Sequence, residues 1–158
     1  RNMLYYNIPG RGKIEIENVV MDYNGTIAVD GKIVEGVKGL IQKLKDCVNV
    51  YILTADTYGT ARNECKDLGV NVMTFPNENA GIYKKEIVRK LGGNKTLCIG
   101  NGYNDIPMFK ESILTIAVIE GEGACSKLIL NADIVTKSII DAIELILNEN
   151  RMKATLRN

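Results

Sequence analysis

The 158-residue chain contains no histidine. That absence excludes Ser-His-Asp triads, Cys-His dyads, H-E-x-x-H zinc sites and histidine phosphotransfer. Acid–base or metal chemistry is left to carboxylates, amides, hydroxyls and lysine. The four cysteines, Cys47, Cys65, Cys98 and Cys125, are irregularly spaced with no C-x-x-C pair. They read as free thiols in a reducing cytoplasm. Neither sign of charge is in excess, with 20 basic against 19 acidic residues, and no basic run or stripe is present, which argues against a nucleic-acid partner. No apolar run is long enough to span a bilayer, and no signal-peptide pattern opens the chain, so no membrane association is expected. Arg1 and Asn2 ahead of Met3 read as an addition to a natural start.

What is present suits one domain over 1–158: 46% of the residues are hydrophobic, enough for a real core. Ile14–Glu17 alternates and predicts a short half-exposed strand. Val19–Met21 and Val48–Leu53 are unbroken apolar runs that predict buried strands. Between them, Thr26–Val34 predicts a small hairpin flap turning at Asp30-Gly31, and Val37–Asp46 a helix with Val37, Leu40, Ile41 and Leu44 on one face. A helix over Thr57–Leu68, closed by Gly69, precedes a short strand at Val70–Phe75. A helix over Ala80–Leu91, stopped by Gly92-Gly93, leads to a strand at Thr96–Ile99. Beyond it come a short helix at Asp105–Lys110, a strand at Ile113–Val118, a helix at Ala124–Leu130, a strand at Ile134-Val135 and a closing helix at Ser138–Leu147. Strand and helix alternate and the strands are continuous apolar runs. That pattern predicts an α/β fold, a doubly wound, mostly parallel sheet with helices on both faces and a core over about 15–147.

In such a sheet, sites form in the loops after the carboxyl ends of the strands. Asp22 stands there, at the end of Val19–Met21, and opens Asp22-Tyr23-Asn24-Gly25-Thr26. Alone this is an ordinary Asn-Gly turn. Thr54 follows the second buried strand, Lys84 lies early in the helix after the third, and Gly100-Asn101-Gly102-Tyr103-Asn104-Asp105 follows the fourth. Each has a bland alternative: Thr54 or Asp105 as a helix cap, Lys84 as a solvated lysine. Asp56 is read as a cap. Together the groups have complementary chemistry. A carboxylate can attack a phosphoryl group, but two unit charges 4 Å apart repel by about 4 kcal/mol at an effective dielectric of about 20. A divalent cation held by Asp22 and Asp105, best a magnesium ion, offsets that repulsion. Thr54 can donate to a phosphoryl oxygen, and Lys84 supplies a compact positive charge. Gly100 and Gly102 are expected to let the loop approach a ligand closely.

On these residues the chain resembles the haloacid dehalogenase superfamily of aspartyl-nucleophile phosphatases, and within it the soluble proteins related to the phosphorylation domain of P-type ATPases. The carrying motifs are Asp22-Tyr-Asn24-Gly25-Thr26, Leu53-Thr54-Ala-Asp56, Lys84 with Ile87-Val88 and Leu91 behind it, and Gly100-Asn101-Gly102-Tyr-Asn104-Asp105. The spacing of the apolar positions favours Lys84 over Lys85. The resemblance implies that Asp22 forms an aspartyl-phosphate and that Thr54 and Lys84 bind the phosphoryl group, with Asn104 touching it. It implies magnesium ligation by Asp22, the backbone carbonyl of Asn24 and Asp105, with Asn101 nearby.

The chain departs from the pattern twice. Position 24 usually carries a second Asp, which protonates the leaving group and then activates water; Asn24 can do neither, so slow turnover is expected. Asn101 stands where P-type proteins have Asp, which weakens metal binding. The gaps from Asp22 to Thr54 and from Thr54 to Lys84 leave no room for a cap domain. The site is therefore open, unless a second copy of the chain covers it, to a phosphorylated small molecule or an exposed phosphoryl group on a macromolecule. Two other readings stand beside the magnesium-dependent phosphatase. One is a catalytically lapsed regulatory or binding module. The other, a phosphoacceptor receiver domain, lacks its acidic pair beside Asp22.

Overall fold

The structure, a computed structural model, describes residues 3–56 and 59–158; Arg1, Asn2 and the expected helix start at Thr57 lie outside those residues. An antiparallel hairpin, β1 (Leu4–Ile8) and β2 (Gly12–Ile16), opens the chain. Then come β3 (Asn18–Asp22), the two-residue strands β4 (Ala28–Val29) and β5 (Lys32–Ile33), and α1 (Val37–Lys45). They are followed by β6 (Asn49–Thr54), α2 (Thr60–Cys65), β7 (Asn71–Thr74) and α3 (Ala80–Leu91). The last part runs β8 (Thr96–Gly100), α4 (Ile106–Glu111), β9 (Leu114–Val118), α5 (Ser126–Leu130), β10 (Ile134–Thr136), α6 (Ile139–Leu147) and α7 (Glu149–Leu156).

The apolar runs become a six-stranded, all-parallel sheet in the order β10-β9-β8-β3-β6-β7. β3, β8 and β9 are buried at every residue, as strands covered on both faces must be. Successive side chains point to opposite faces, so the strands feed two separate cores. Val19, Met21, Ile52, Leu97 and Ile99 pack with Val37, Ile41 and Leu44 of α1 and with Ile139, Ile143 and Ile146 of α6. Val20, Leu53, Cys98 and Ala117 pack with Val88 of α3, Met108 and Phe109 of α4, and Leu128 of α5. Among the described residues no helix is long and apolar enough to cross a membrane.

The strand order reverses at β3. The chain builds outward through β6 and β7, then returns to lay β8 against the other side of β3. The carboxyl ends of β3 and β8 therefore flank the crevice where a doubly wound sheet binds its ligand. Between β3 and β6 stand only the β4–β5 hairpin and α1; between β6 and α3, among the described residues, only α2 and β7. The hairpin turns at Asp30 and Gly31, both at positive φ (52° and 85°), as a two-residue hairpin loop requires.

The fold extends past the expected 15–147 core at both ends. The strand expected over Ile14–Glu17 is the second arm of the β1–β2 hairpin, and α7 follows the helix expected to close the chain. Tyr6 and Ile8 of the hairpin and Met152 and Leu156 of α7 join the core of α1 and α6. The buried Tyr6 hydroxyl donates to the Ile146 carbonyl at 2.6 Å, tying the two ends of the chain together. Tyr6→Phe leaves that carbonyl without its donor and is expected to cost about 1–3 kcal/mol in urea unfolding. A change within about 0.5 kcal/mol, the range of ordinary surface substitutions, would show that this hydrogen bond does not hold the hairpin to α6.

Candidate active site

Asp22 occupies the β3 position in phase with Val20, so its carboxylate points to the side of the sheet that carries α3. Lys84 and Val88 lie four residues apart on α3 and share the helix face that packs there; both are buried, whereas Lys85 is only half-buried. Hydrophobic burial of Val88 thus carries the Lys84 ammonium to the strand ends. Lys84 Nζ donates to Asp22 Oδ1 at 3.1 Å, to Asp105 Oδ1 at 2.8 Å and to Asn104 Oδ1 at 2.9 Å. The second oxygen of Asp105 accepts from the backbone amides of Asn101 and Gly102, both at 3.1 Å.

Two glycines are fixed by crowding. A Cβ on Gly100 would stand 2.5 Å from Asp105 Oδ2, so this glycine makes room for the Asp105 carboxylate rather than for a ligand. Gly25 has φ +80°, and a Cβ there would stand 2.5 Å from Asn101 Nδ2. Gly102 has no neighbour nearer than 3.8 Å to such a Cβ. The loops after β3 and β8 are also stitched through Thr26, whose hydroxyl donates to Asp22 Oδ2 at 3.4 Å or to Asn101 Oδ1 at 3.1 Å. The Asn101 amide donates in turn to the Gly123 carbonyl at 3.1 Å.

Asp22, Asn24, Thr54, Lys84, Asn101 and Asn104 all line one pocket of about 440 Å³. Asp105 lies fully buried behind it. Thr54 accepts from the Asp56 amide at 3.1 Å, and its own O–H remains a donor. Asp56 accepts from the Ala61 and Arg62 amides at 2.8 and 3.1 Å, capping α2 as expected. Asn24 is exposed at the rim. The sequence reading missed Thr26 as a tether, and missed Phe75, Asn77, Ala80 and Tyr103 on the pocket wall. The strand-end rule that finds Thr54 after β6 finds Phe75 and Asn77 after β7 equally well.

The electrostatics of the cluster are unbalanced. Two buried carboxylates face one ammonium. Burial lowers the tendency of Lys84 to hold its proton, but Asp22 and Asp105 outweigh it and raise the pKa, so the ammonium stays charged. Burial, and then the Asp105 carboxylate, push Asp22 from 3.8 up to about 7 against the pull of Lys84. The excess negative charge and the oxygen-only donors suit a hard divalent cation. Among the described residues no three carboxylates or thiols converge to cage a metal. Magnesium needs only one or two carboxylates, with waters and phosphate oxygens completing its shell, and so fits this donor set.

A sequence profile of the haloacid dehalogenase-like hydrolase family matches residues 3–112. A soluble P-type ATPase-like phosphatase of Methanocaldococcus jannaschii is 30% identical over 129 residues, 78% of this chain and 47% of that protein. The chain thus spans about half the length of that relative. An uncharacterized protein of the same organism is 50% identical over 74 residues, 47% of this chain and 80% of its own length. Among solved structures, the cobalt-bound deoxy-D-mannose-octulosonate 8-phosphate phosphatase of Haemophilus influenzae superposes with a TM-score of 0.70 at 17% identity, covering 90% of this chain and 94% of that one. The 3-deoxy-D-manno-octulosonate 8-phosphate phosphatase of Moraxella catarrhalis, in complex with magnesium, phosphate and KDO, gives 0.66 at 20% identity over 90% and 94%. At these identities the superpositions show a common fold.

Because Asp22 is more easily protonated folded than unfolded, its ionisation removes stability as pH rises from about 4 to about 7 and no further above that. In metal-free buffer Asp22→Asn is therefore expected to melt higher than wild type at pH 7.5, with the gap narrowing toward pH 5. A variant that melts lower than wild type at both pH values would mean that the Lys84 ion pair outweighs the burial and repulsion.

Proposed function

As the chain belongs to the haloacid dehalogenase-like hydrolase family, we propose that it is a phosphatase that works through an aspartyl-phosphate on Asp22. The observation that carries this reading is the convergence of Asp22, Lys84, Asn104 and Thr54 on one pocket at the strand ends. An Asp22 carboxylate oxygen attacks phosphorus, the ester P–O bond breaks, and the leaving oxygen departs with the electron pair. The Lys84 ammonium and the Thr54 hydroxyl hold the phosphoryl oxygens, and Asn104 keeps Lys84 in place. Water then attacks phosphorus, releasing phosphate and restoring the carboxylate. Asp22 and the Asn24 carbonyl, with Asn101 nearby, would hold a magnesium ion on the pocket side, and the ion would supply the positive charge that keeps Asp22 ionised and offsets its repulsion of the phosphate. Buried Asp105 acts chiefly by setting Lys84 and the β8 loop.

Both steps want a proton shuttle, and Asn24 is none. Neither leaving-group protonation nor water activation is assisted there, which supports slow turnover. The substrate is a phosphorylated small molecule or a phosphoryl group exposed on a macromolecule, since no cap stands between the strand-end loops in the described residues. The four unpaired thiols support a reducing, cytoplasmic setting.

The direct test is hydrolysis of p-nitrophenyl phosphate with and without magnesium. Turnover should need the metal and vanish in Asp22→Asn; undiminished turnover in that variant would contradict the nucleophile assignment. Asn24→Asp should raise kcat by about 10²-fold or more, the usual worth of a positioned acid–base group. No gain on top of an inactive wild type would favour a phosphate- or metal-sensing binding module.

A further inference from the structure

Next to the phosphate pocket, and sharing Asn77, Ala80, Tyr103 and Asn104 with it, runs a second groove of about 400 Å³. Its remaining wall includes Ile82 of α3 and Ile106 and Pro107 at the start of α4, and no charged side chain lines it. Ile82 and Tyr103, which share this groove, are 60% and 66% exposed and put two large side chains beside the polar site. Phe75, which also lines the phosphate pocket, stacks on Tyr83 with ring centroids 6.3 Å apart. The groove on the other side, which shares Asn24 and Thr54 with the phosphate pocket, carries Asp30 and Asp56 and would repel an anionic ester, whereas this shelf carries no charge.

The catalytic end imposes a matching demand. Asp22 is the only carboxyl group on the lining of the phosphate pocket among the described residues, and it is occupied as nucleophile. Asn24 cannot donate a proton to a leaving oxygen. An alkoxide is too basic to leave unprotonated at a useful rate, whereas a phenol has a pKa of about 10 and its oxide departs far more readily.

Building on the phosphatase reading, we propose that the preferred substrates are aryl phosphates, monoesters whose aromatic body lies on the Ile82–Tyr103–Pro107 shelf and whose oxygen leaves as the aryloxide. Asp22 forms a bond to phosphorus as the P–O(aryl) bond breaks. The aryloxide takes the electron pair and later a proton from solvent. Water then cleaves the acyl phosphate, giving inorganic phosphate and regenerated Asp22. A sugar acid such as the KDO bound to the M. catarrhalis protein carries a carboxylate, for which the neutral shelf offers no cation.

The test compares 2-naphthyl phosphate, acetyl phosphate and glycerol 3-phosphate on wild type, Ile82→Ala and Ile82→Glu, with magnesium present. Acetyl phosphate has a good leaving group but nothing to lay on the shelf; glycerol 3-phosphate lacks both. Wild type should turn over the first two and hardly touch the third. Ile82→Glu should lower kcat/KM for 2-naphthyl phosphate about tenfold, mainly through KM, as for loss of an apolar contact in a pocket. Ile82→Ala should lower it less, and acetyl phosphate turnover should stay unchanged in both. If naphthyl phosphate is unaffected, or falls in parallel with acetyl phosphate, the shelf assignment is wrong while the phosphatase reading stands. Glycerol 3-phosphate turned over as fast as 2-naphthyl phosphate overturns the leaving-group argument. No turnover of any substrate by wild type overturns the phosphatase reading itself.

Discussion

A single buried ammonium holds the functional end of this molecule together. Lys84 reaches Asp22 at the end of β3, Asp105 behind the β8 loop and Asn104 within it, all within 3.1 Å. Without it, two carboxylates would share a pocket shielded from water, a repulsion that grows steeply as the effective dielectric falls. With it, the cluster still carries one excess negative charge, and Asp22 keeps an elevated pKa. A structure optimised for stability alone would replace such a cluster with apolar side chains. An incompletely neutralised cluster at the topological switch point of a parallel sheet is instead suited to receiving a cation and a phosphoryl group.

The fold places that cluster by two simple periodicities. The alternation of β3 sends Val20 and Asp22 to one face and Val19 and Met21 to the other. The four-residue repeat of α3 puts Lys84 above Val88. Both register choices are fixed by hydrophobic burial several ångströms from the chemistry: slipping β3 by one residue would turn Asp22 toward the core of α1 and α6, and rotating α3 by one residue would turn Val88 out of its core. Gly100 completes the arrangement, since a side chain there would collide with the carboxylate Lys84 must meet.

These periodicities are why much of the architecture was legible in the residues. Continuous apolar runs such as Val19–Met21 and Thr96–Ile99 have no polar face to offer, so they had to be strands covered on both sides. The strand-end rule then located Asp22, Thr54 and the loop after β8, and the burial of Lys84 over Lys85 follows from the apolar residues behind it. What escaped were features whose signal is not periodic. In β1 the alternation is short and blurred by the adjacent Tyr5 and Tyr6, of which only Tyr6 is buried, and α7 has only Met152 and Leu156 buried on a largely polar helix. The role of Gly100 also escaped: a glycine in a loop says that something comes close, not whether that something is a ligand or the protein's own aspartate. The apolar shelf around Ile82 and Tyr103 joins residues of α3 with residues of the β8 loop, a juxtaposition that no local sequence pattern records.

The central claim is that Asp22 is a nucleophile whose phosphorylated form outlives the first chemical step because Asn24 cannot activate water. Intact-mass measurement of the protein after mixing with magnesium and acetyl phosphate tests it most directly. A single phosphoryl adduct that maps to Asp22 and decays slowly, absent in Asp22→Asn, is the predicted result. Turnover of acetyl phosphate with no adduct at any time after mixing, or an adduct that persists in Asp22→Asn, would contradict it.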